Sequence, residues 1–329
     1  MRATARRLLT SLVNLRAVLP LLKALEHCEP DCNHWLKVLT WHRVEDAQGF
    51  ERQVEFLRSH HAVVSMDDLL EARNNGKKLP PRAVMITFDD GYRNFAQSAW
   101  PALKKHQLPV TLFVPTAFPG APALAFWWDR LEQSVRDTKE QEVPSPLGVL
   151  PVETQRQRDL AFRQLKEHFK RIPPAELSEW MDRICTHLGE SGRHPEILDW
   201  TELRALAADG VHIGAHSRTH RMLNFLSPED LEQETLGSTQ DLKRELGTAS
   251  PAFAYPAGRY SPAVVDALRR AGFAVAFTTV PGTNDLRRVD WLRLLRINVG
   301  PRARVGDLRA RMIRSSALWS RWQRVPDHR

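Results

Sequence analysis

Short apolar runs alternate with helix-patterned stretches along most of this sequence. The runs are Val38–Trp41, Val63–Ser65, Val84–Phe88, Val110–Val114, Val211–Ala215, Phe253–Tyr255, Val275–Thr278 and Leu294–Val299. Between them, Gln53–Ser59, Asp67–Asn74, Ala96–Lys105, Thr201–Ala208, Pro228–Leu246 and Ala263–Ala271 read as helices. That alternation builds βα units, and βα units build a parallel sheet of the α/β class. Seven or eight units suit a closed barrel better than an open sheet, and a chain of 329 residues is long enough for one.

One interval breaks the rhythm. From Pro115 to Val211 no strand is evident, while 154–171 and 175–188 look helical. The interval predicts a mainly helical insertion over about 120–200, suited to a lid or a substrate wall. Its Phe126-Trp127-Trp128-Asp129 string makes Trp127 and Trp128 candidates for stacking on a substrate; anchoring the insertion in the core is the alternative.

The charge is uneven. The first 23 residues hold five basic side chains and no acid, and residues 302–329 hold eight arginines against Asp307 and Asp327. With +8 overall, the body between these arms is slightly acidic, at −3. A nucleic-acid-binding module would carry its basic patch on the folded body, so nucleic acid is excluded as a partner. Both arms, 1–35 and 301–329, predict basic amphipathic helices. Leu8, Leu12, Leu15, Leu19 and Leu22 form one stripe; Val305, Leu308, Met312, Trp319 and Trp322 form the other. Such helices either dock on the body or make peripheral contact with an anionic membrane. No apolar stretch near the start is long enough to span a bilayer or to serve as a clean secretory segment. The expected location is therefore the cytoplasm, at the inner membrane face if the arms bind lipid. His27, Cys28, Cys32 and His34 lie between the first arm and the body, more tightly spaced than usual zinc patterns.

Three constellations carry chemistry. In Ile86-Thr87-Phe88-Asp89-Asp90-Gly91-Tyr92 an apolar strand ends in paired carboxylates and a turn glycine. Active sites of α/β proteins sit at such strand ends, and adjacent carboxylates can divide metal binding from proton transfer. A helix cap and turn would use the same residues. In His212-Ile213-Gly214-Ala215-His216-Ser217-Arg218-Thr219-His220, a helical turn after the strand would bring His216 and His220 onto one face. His212 is a rival ligand or a supporting, hydrogen-bonded histidine. Asp90, His216 and His220 together make a two-histidine, one-carboxylate set that leaves coordination positions open. In Phe253-Ala254-Tyr255-Pro256-Ala257-Gly258-Arg259 a rigid turn follows a strand, where a backbone N–H can face an oxyanion.

On these motifs, in this order, the sequence resembles the polysaccharide deacetylase family, carbohydrate esterase family 4, over roughly residues 36–300. The resemblance implies a distorted (β/α) barrel of seven or eight strands. It also implies one divalent metal, usually zinc, with cobalt or nickel as alternatives. Asp90, His216 and His220 would hold the metal, Asp89 would be the general base, and the Ala257 N–H would polarise the amide carbonyl, with Tyr255 and Pro256 shaping the pocket. The family's general-acid histidine is absent after Leu294. The sequence is similar instead to a circularly permuted exopolysaccharide deacetylase form, in which that strand comes first; Val38-Leu39-Thr40-Trp41-His42 fits it and makes His42 the candidate acid. The arginine that orients the catalytic aspartate is also missing from the third motif, where Ala254 and Ala257 stand at the corresponding positions. Arg296 is the favoured substitute and Arg259 the alternative.

The implied reaction is metal-assisted removal of N-acetyl groups from the amino sugars of a glycan. A deacylase of a lipid-linked sugar at the membrane surface, or a non-catalytic glycan-binding module, are the other readings.

Overall fold

A computed structural model of the chain describes residues 33–121, 124–189, 192 and 194–314. In chain order the elements are β1 (Trp35–Trp41), α1 (Ala47–His60), β2 (Ala62–Val63), α2 (Met66–Asn75) and β3 (Ala83–Phe88). A π-helical turn, Phe95–Ala99, then runs into α3 (Trp100–Lys105), followed by β4 (Thr111–Val114). The insertion supplies α4 (Trp127–Asp137), β5 (Glu142–Ser145), β6 (Gly148–Pro151), α5 (Gln155–Phe169) and α6 (Pro174–Leu188). The body resumes with α7 (Trp200–Ala208), β7 (His212–Ala215), α8 (Pro228–Leu246), β8 (Ala252–Ala254) and α9 (Pro262–Arg270). It closes with β9 (Val275–Phe277), β10 (Asn284–Asp285), β11 (Ile297–Asn298) and α10 (Val305–Arg314).

Helix starts follow the cap residues. Ser65 and Asp68, Thr154 and Gln157, and Asp199 and Glu202 each form a reciprocal capping box. Asp46 caps α1, so that helix begins at Ala47, six residues before the Gln53 at which the apolar pattern starts. Gly76 and Gly247 end α2 and α8 in the left-handed conformation.

The main sheet runs β10-β1-β3-β4-β7-β8-β9, parallel apart from β10. The segment around β11 closes it: Leu294 bridges to Phe277 of β9, and Ile297 pairs with Leu39 of β1. The result is a distorted (β/α) barrel in which β1 lies between β3 and the closing segment.

Alternation along the strands separates two cores. Leu36, Val38, Ala83, Met85, Phe113, Ala252, Ala254, Val275, Phe277 and Leu294 fill the barrel interior. Leu39, Trp41, Ile86, Phe88, Leu112, Ala215, Phe253 and Tyr255 face outward and pack under the helices. The same period carries Thr40, Thr87 and Asp89 to the inner face, above the apolar plug.

Two departures from the sequence reading stand out. The insertion contains an antiparallel hairpin, β5–β6, besides its helices. Its strands are four residues each and contain prolines, so no strand pattern is legible there. The hairpin shares a separate apolar core with Leu131, Leu165, Phe169, Met181 and Ile184. At the other end, α10 lies against α1, with Leu308 and Met312 in the main core. Packing therefore continues past residue 300, and this part of the C-terminal stripe is docked. Trp319, Trp322, the whole N-terminal stripe and Cys28 and Cys32 lie outside the described residues. Among the described residues no helix is long and apolar enough to cross a membrane.

Candidate active site

The β1–β3 register fixes the first part of the site. Trp41 lies opposite Phe88, and the Asp89 N–H donates to the Trp41 carbonyl at 2.9 Å. His42 and Asp89 are therefore neighbours at the ends of adjacent parallel strands. Asp89 is 2% exposed, and both of its oxygens are held by Arg296, at 2.8 and 2.7 Å. Arg296 is fully buried. Its Nε donates to the Thr278 carbonyl at 2.8 Å, and Nη1 reaches the hydroxyls of Thr40 and Thr87 at 3.2 and 3.4 Å. Burial alone would raise the Asp89 pKa; the guanidinium and the His216 charge outweigh it and hold the carboxyl below its ordinary value. Arg259, the other candidate, lies half-buried after the β8 turn and makes no such pair.

Asp90, His216 and His220 come together from two loops. Their ligand atoms all lie within 4.8 Å of one another, and all three residues are buried. Each imidazole Nε2 stands 3.4 Å from Asp90 Oδ1, an oxygen that has no hydrogen-bond partner. His216 Nδ1 is 2.7 Å from the Ala254 carbonyl, so it carries the proton and donates, leaving a lone pair on Nε2. That lone pair faces a carboxylate oxygen. Acceptor set against acceptor in a dry pocket is unfavourable without a positive charge between them, and two imidazoles with one carboxylate are a fitting donor set for a divalent transition metal. Burial opposes the Asp90 charge as well, but His42, followed by the close approach of His216 and His220, keeps its pKa well below the usual range.

The helical turn expected between the two histidines is not there. Residues 216–220 form an irregular loop, with Ser217 and His220 in the left-handed region at φ 61° and 58°. Asp90 and Ala257 are left-handed too, at 75° and 51°. Non-glycine residues adopt this conformation only where surroundings enforce it, and such residues gather at functional sites. The β8 turn is equally constrained: a Cβ on Gly258 would meet Thr279 Oγ1 at 2.0 Å.

Other expected residues take different places. Tyr255 follows β8 on the outward face; it is fully buried, donates to the Leu292 carbonyl at 2.8 Å and packs on Phe253 and Tyr260. It is a core residue, because the two-residue period turns it away from the barrel interior. Pro256 is also buried, and Ala257 remains partly accessible at the turn. His212 is bonded to the Ser250 hydroxyl at 2.8 Å, at the opposite end of β7 from His216. Trp128 is 8% exposed and sits edge-on to His220, with centroids 4.6 Å apart. It walls His220 and offers no free face, since Phe126 stacks on it at 4.4 Å. Trp127 packs on Phe169, joining the insertion to the site wall.

The sequence reading missed a polar string behind that wall. Trp128 Nε1 donates to the Tyr92 hydroxyl at 2.9 Å, and Tyr92 donates to Asp129 Oδ2 at 2.7 Å. Burial pushes the Asp129 carboxyl up to about 6. Arg43 lies over the Tyr92 ring, 5.0 Å from its centroid. The only trace in the sequence is an acid placed directly after two tryptophans. A cleft of about 680 Å³, lined by Arg43, Tyr92, Asn94, Glu132 and Arg136 among others, opens beside these residues. A second trio of possible ligands, Glu51, Glu55 and His106, is on the surface, where Lys105 already pairs with Glu51 at 2.7 Å.

A family model for polysaccharide deacetylase matches residues 76–143 and 165–276, more than half of the chain. The chain belongs to the polysaccharide deacetylase family. Family membership makes it a hydrolase of the carbohydrate N-deacetylase class. Over 99 residues it is 33% identical to poly-beta-1,6-N-acetyl-D-glucosamine N-deacetylase of Escherichia coli O157:H7, a stretch that covers 26% of this chain and 15% of that enzyme. Among solved structures, the Streptococcus pyogenes deacetylase PplD aligns with a TM-score of 0.57 at 18% identity, over 84% of this chain and 98% of that one. IcaB from Ammonifex degensii aligns with 0.56 at 20% identity, over 86% and 97%. These similarities establish the shared barrel, including the early position of β1.

Proposed function

We propose that the protein is a metal-dependent deacetylase acting on the N-acetylated amino sugars of a glycan polymer. The observation that carries this reading is the convergence of Asp90, His216 and His220 on one point, beside a separate carboxylate, Asp89, that Arg296 keeps ionised. The poly-N-acetylglucosamine activity named for the Escherichia coli relative supports a polymer of this kind as substrate.

A divalent ion held by the three ligands would act as Lewis acid on the amide carbonyl and lower the pKa of a water molecule towards about 7. Two imidazoles and one carboxylate favour zinc, and accept cobalt or nickel. Asp89 would take the proton of the attacking water, with Arg296, bonded to both of its oxygens, fixing their orientation. The Ala257 N–H, presented by a left-handed turn, stabilises the oxyanion; one donor of this kind contributes about 3–4 kcal/mol. His42 protonates the departing amine, a step that contributes roughly 10²–10⁴-fold. The cleft beside Arg43 gives room for flanking sugar units.

The test is metal content and acetate release measured together, for the parent and Asp90→Ala, on N-acetylglucosamine oligomers. One equivalent of metal with acetate release, both lost in the variant, is the expected result. A parent that binds no divalent metal would refute the reading.

A further inference from the structure

The loop that carries His216 and His220 has no helix to hold it, yet both imidazoles must meet Asp90. Glu234, on α8, supplies the missing support. It is 3% exposed. Its Oε2 accepts the Arg218 N–H at 2.9 Å and the Thr219 N–H at 2.8 Å, and its Oε1 accepts the Thr219 hydroxyl. Three bonds thus converge from the two residues immediately before His220. Inside the loop, the His220 N–H donates to Ser217 Oγ at 3.0 Å. On the other side, Thr116 and Ala117 donate their N–H groups to the Ser217 and Arg218 carbonyls at 3.2 and 2.8 Å. Asp241, also on α8, accepts from the Arg218 Nε and the Thr116 hydroxyl at 2.9 and 2.8 Å.

These bonds oppose a definite cost. Ser217 and His220 are both left-handed, a conformation that a free chain rarely adopts at such residues. Left alone, the loop would relax towards extended or right-handed backbone, and His220 would swing away from Asp90. Glu234 takes up the two N–H groups that the strained backbone turns towards α8.

We propose that Glu234 is a positioning residue for the metal site: by binding the 218–219 backbone it sets the separation of His216 and His220 and so the affinity and geometry of the bound ion. The proposal rests on the reading of Asp90, His216 and His220 as metal ligands. Glu234 itself touches neither the ligands nor the reacting groups.

The shape of the contact gives a sharp test. Glutamine can keep all three bonds: its carbonyl oxygen accepts the two N–H groups, and its amide donates to a Thr219 hydroxyl turned to accept. Methionine has similar length and volume and can keep none. Zinc affinity is measured by competition with a chelator for the parent, Glu234→Gln and Glu234→Met, and the cobalt-substituted proteins are compared by visible absorption. Groups that orient metal ligands from outside typically contribute 10–100-fold in affinity. The expected result is affinity within about threefold of the parent for glutamine, and a loss of at least about tenfold with an altered cobalt spectrum for methionine. At saturating metal, the methionine variant should lose kcat with KM little changed. Should Glu234→Met fail to fold, Glu234→Asp decides, because its shorter arm keeps the charge and cannot span the same contacts; a loss like that expected of methionine supports the proposal. Parent-like affinity and spectrum in methionine, or in aspartate where methionine does not fold, would overturn it. A parent that binds neither zinc nor cobalt would overturn the metal site and this role together, whereas normal parent binding with an indifferent Glu234→Met overturns this role alone.

Discussion

Replacing Arg296 by methionine keeps most of the buried volume and removes the charge, the two bonds to Asp89, and those to Thr278, Thr40 and Thr87. Asp89 would then be a carboxylate at 2% exposure with no cation paired to it. Breaking a buried ion pair by removing one partner costs about 3–5 kcal/mol. At about 2–4 °C per kcal/mol for a domain of this size, Tm should fall by roughly 6–20 °C at pH 8. The pH dependence has a definite sign. In the parent the folded Asp89 pKa is depressed, so its contribution is present above the ordinary carboxylate pKa and fades only in acid. In the variant only His216 and His42 still oppose burial, and the folded pKa rises from its depressed value. The folded state then holds the proton more tightly, so the deficit is complete above the raised pKa and shrinks as pH falls through it. Urea unfolding at pH 8 and pH 5 should therefore show a smaller penalty at the lower pH. Adding Asp89→Asn should recover most of the loss, because a neutral amide needs no counter-charge. A penalty under about 1 kcal/mol at pH 8, or one that does not change with pH, would refute the account of this pair.

Asp89→Asn alone should retain metal while turnover falls by at least about 100-fold; metal analysis beside initial rates checks this, and retained turnover would remove Asp89 as the base. His42→Gln should lower amide hydrolysis by roughly 10²–10⁴-fold and affect an activated aryl acetate ester far less, since a good leaving group needs no proton; equal losses on both substrates would contradict the acid role. Asp129→Asn should leave the Tyr92 bond in place and remove a buried charge whose pKa is raised to about 6. The raised pKa means the charge destabilises the fold as pH rises through 6, so the variant should gain up to about 3 kcal/mol at pH 8 and nothing at pH 4, read by thermal unfolding.

The barrel was legible because its strands are unbroken apolar runs with helix patterns between them. The candidate ligands were legible as a cluster because they follow strand ends directly, where direction is set by the strand. Arg296 could be named but not proved to reach Asp89, since the closing segment pairs with both β9 and β1 across long stretches of chain. A clue was present: Thr40 and Thr87 interrupt apolar strands on the one face that the guanidinium occupies. Tyr255 was misplaced for the same reason in reverse, because the strand period puts it outside. Glu234 gave no signal. It sits among other acids on an amphipathic helix, and its partners are backbone groups that a sequence does not display. The β5–β6 hairpin was hidden by its prolines and its shortness.

The closing segment also orders events during synthesis. All three candidate ligands, and Asp89 itself, have left the ribosome well before Arg296 is made. A nascent chain can therefore bring the ends of β3 and β7 together while Asp89 still lacks its counter-charge. Only when Leu294–Asn298 slots between β9 and β1 does the guanidinium arrive. The segment that closes the barrel thus delivers the counter-charge to Asp89 in the same step that buries that carboxylate.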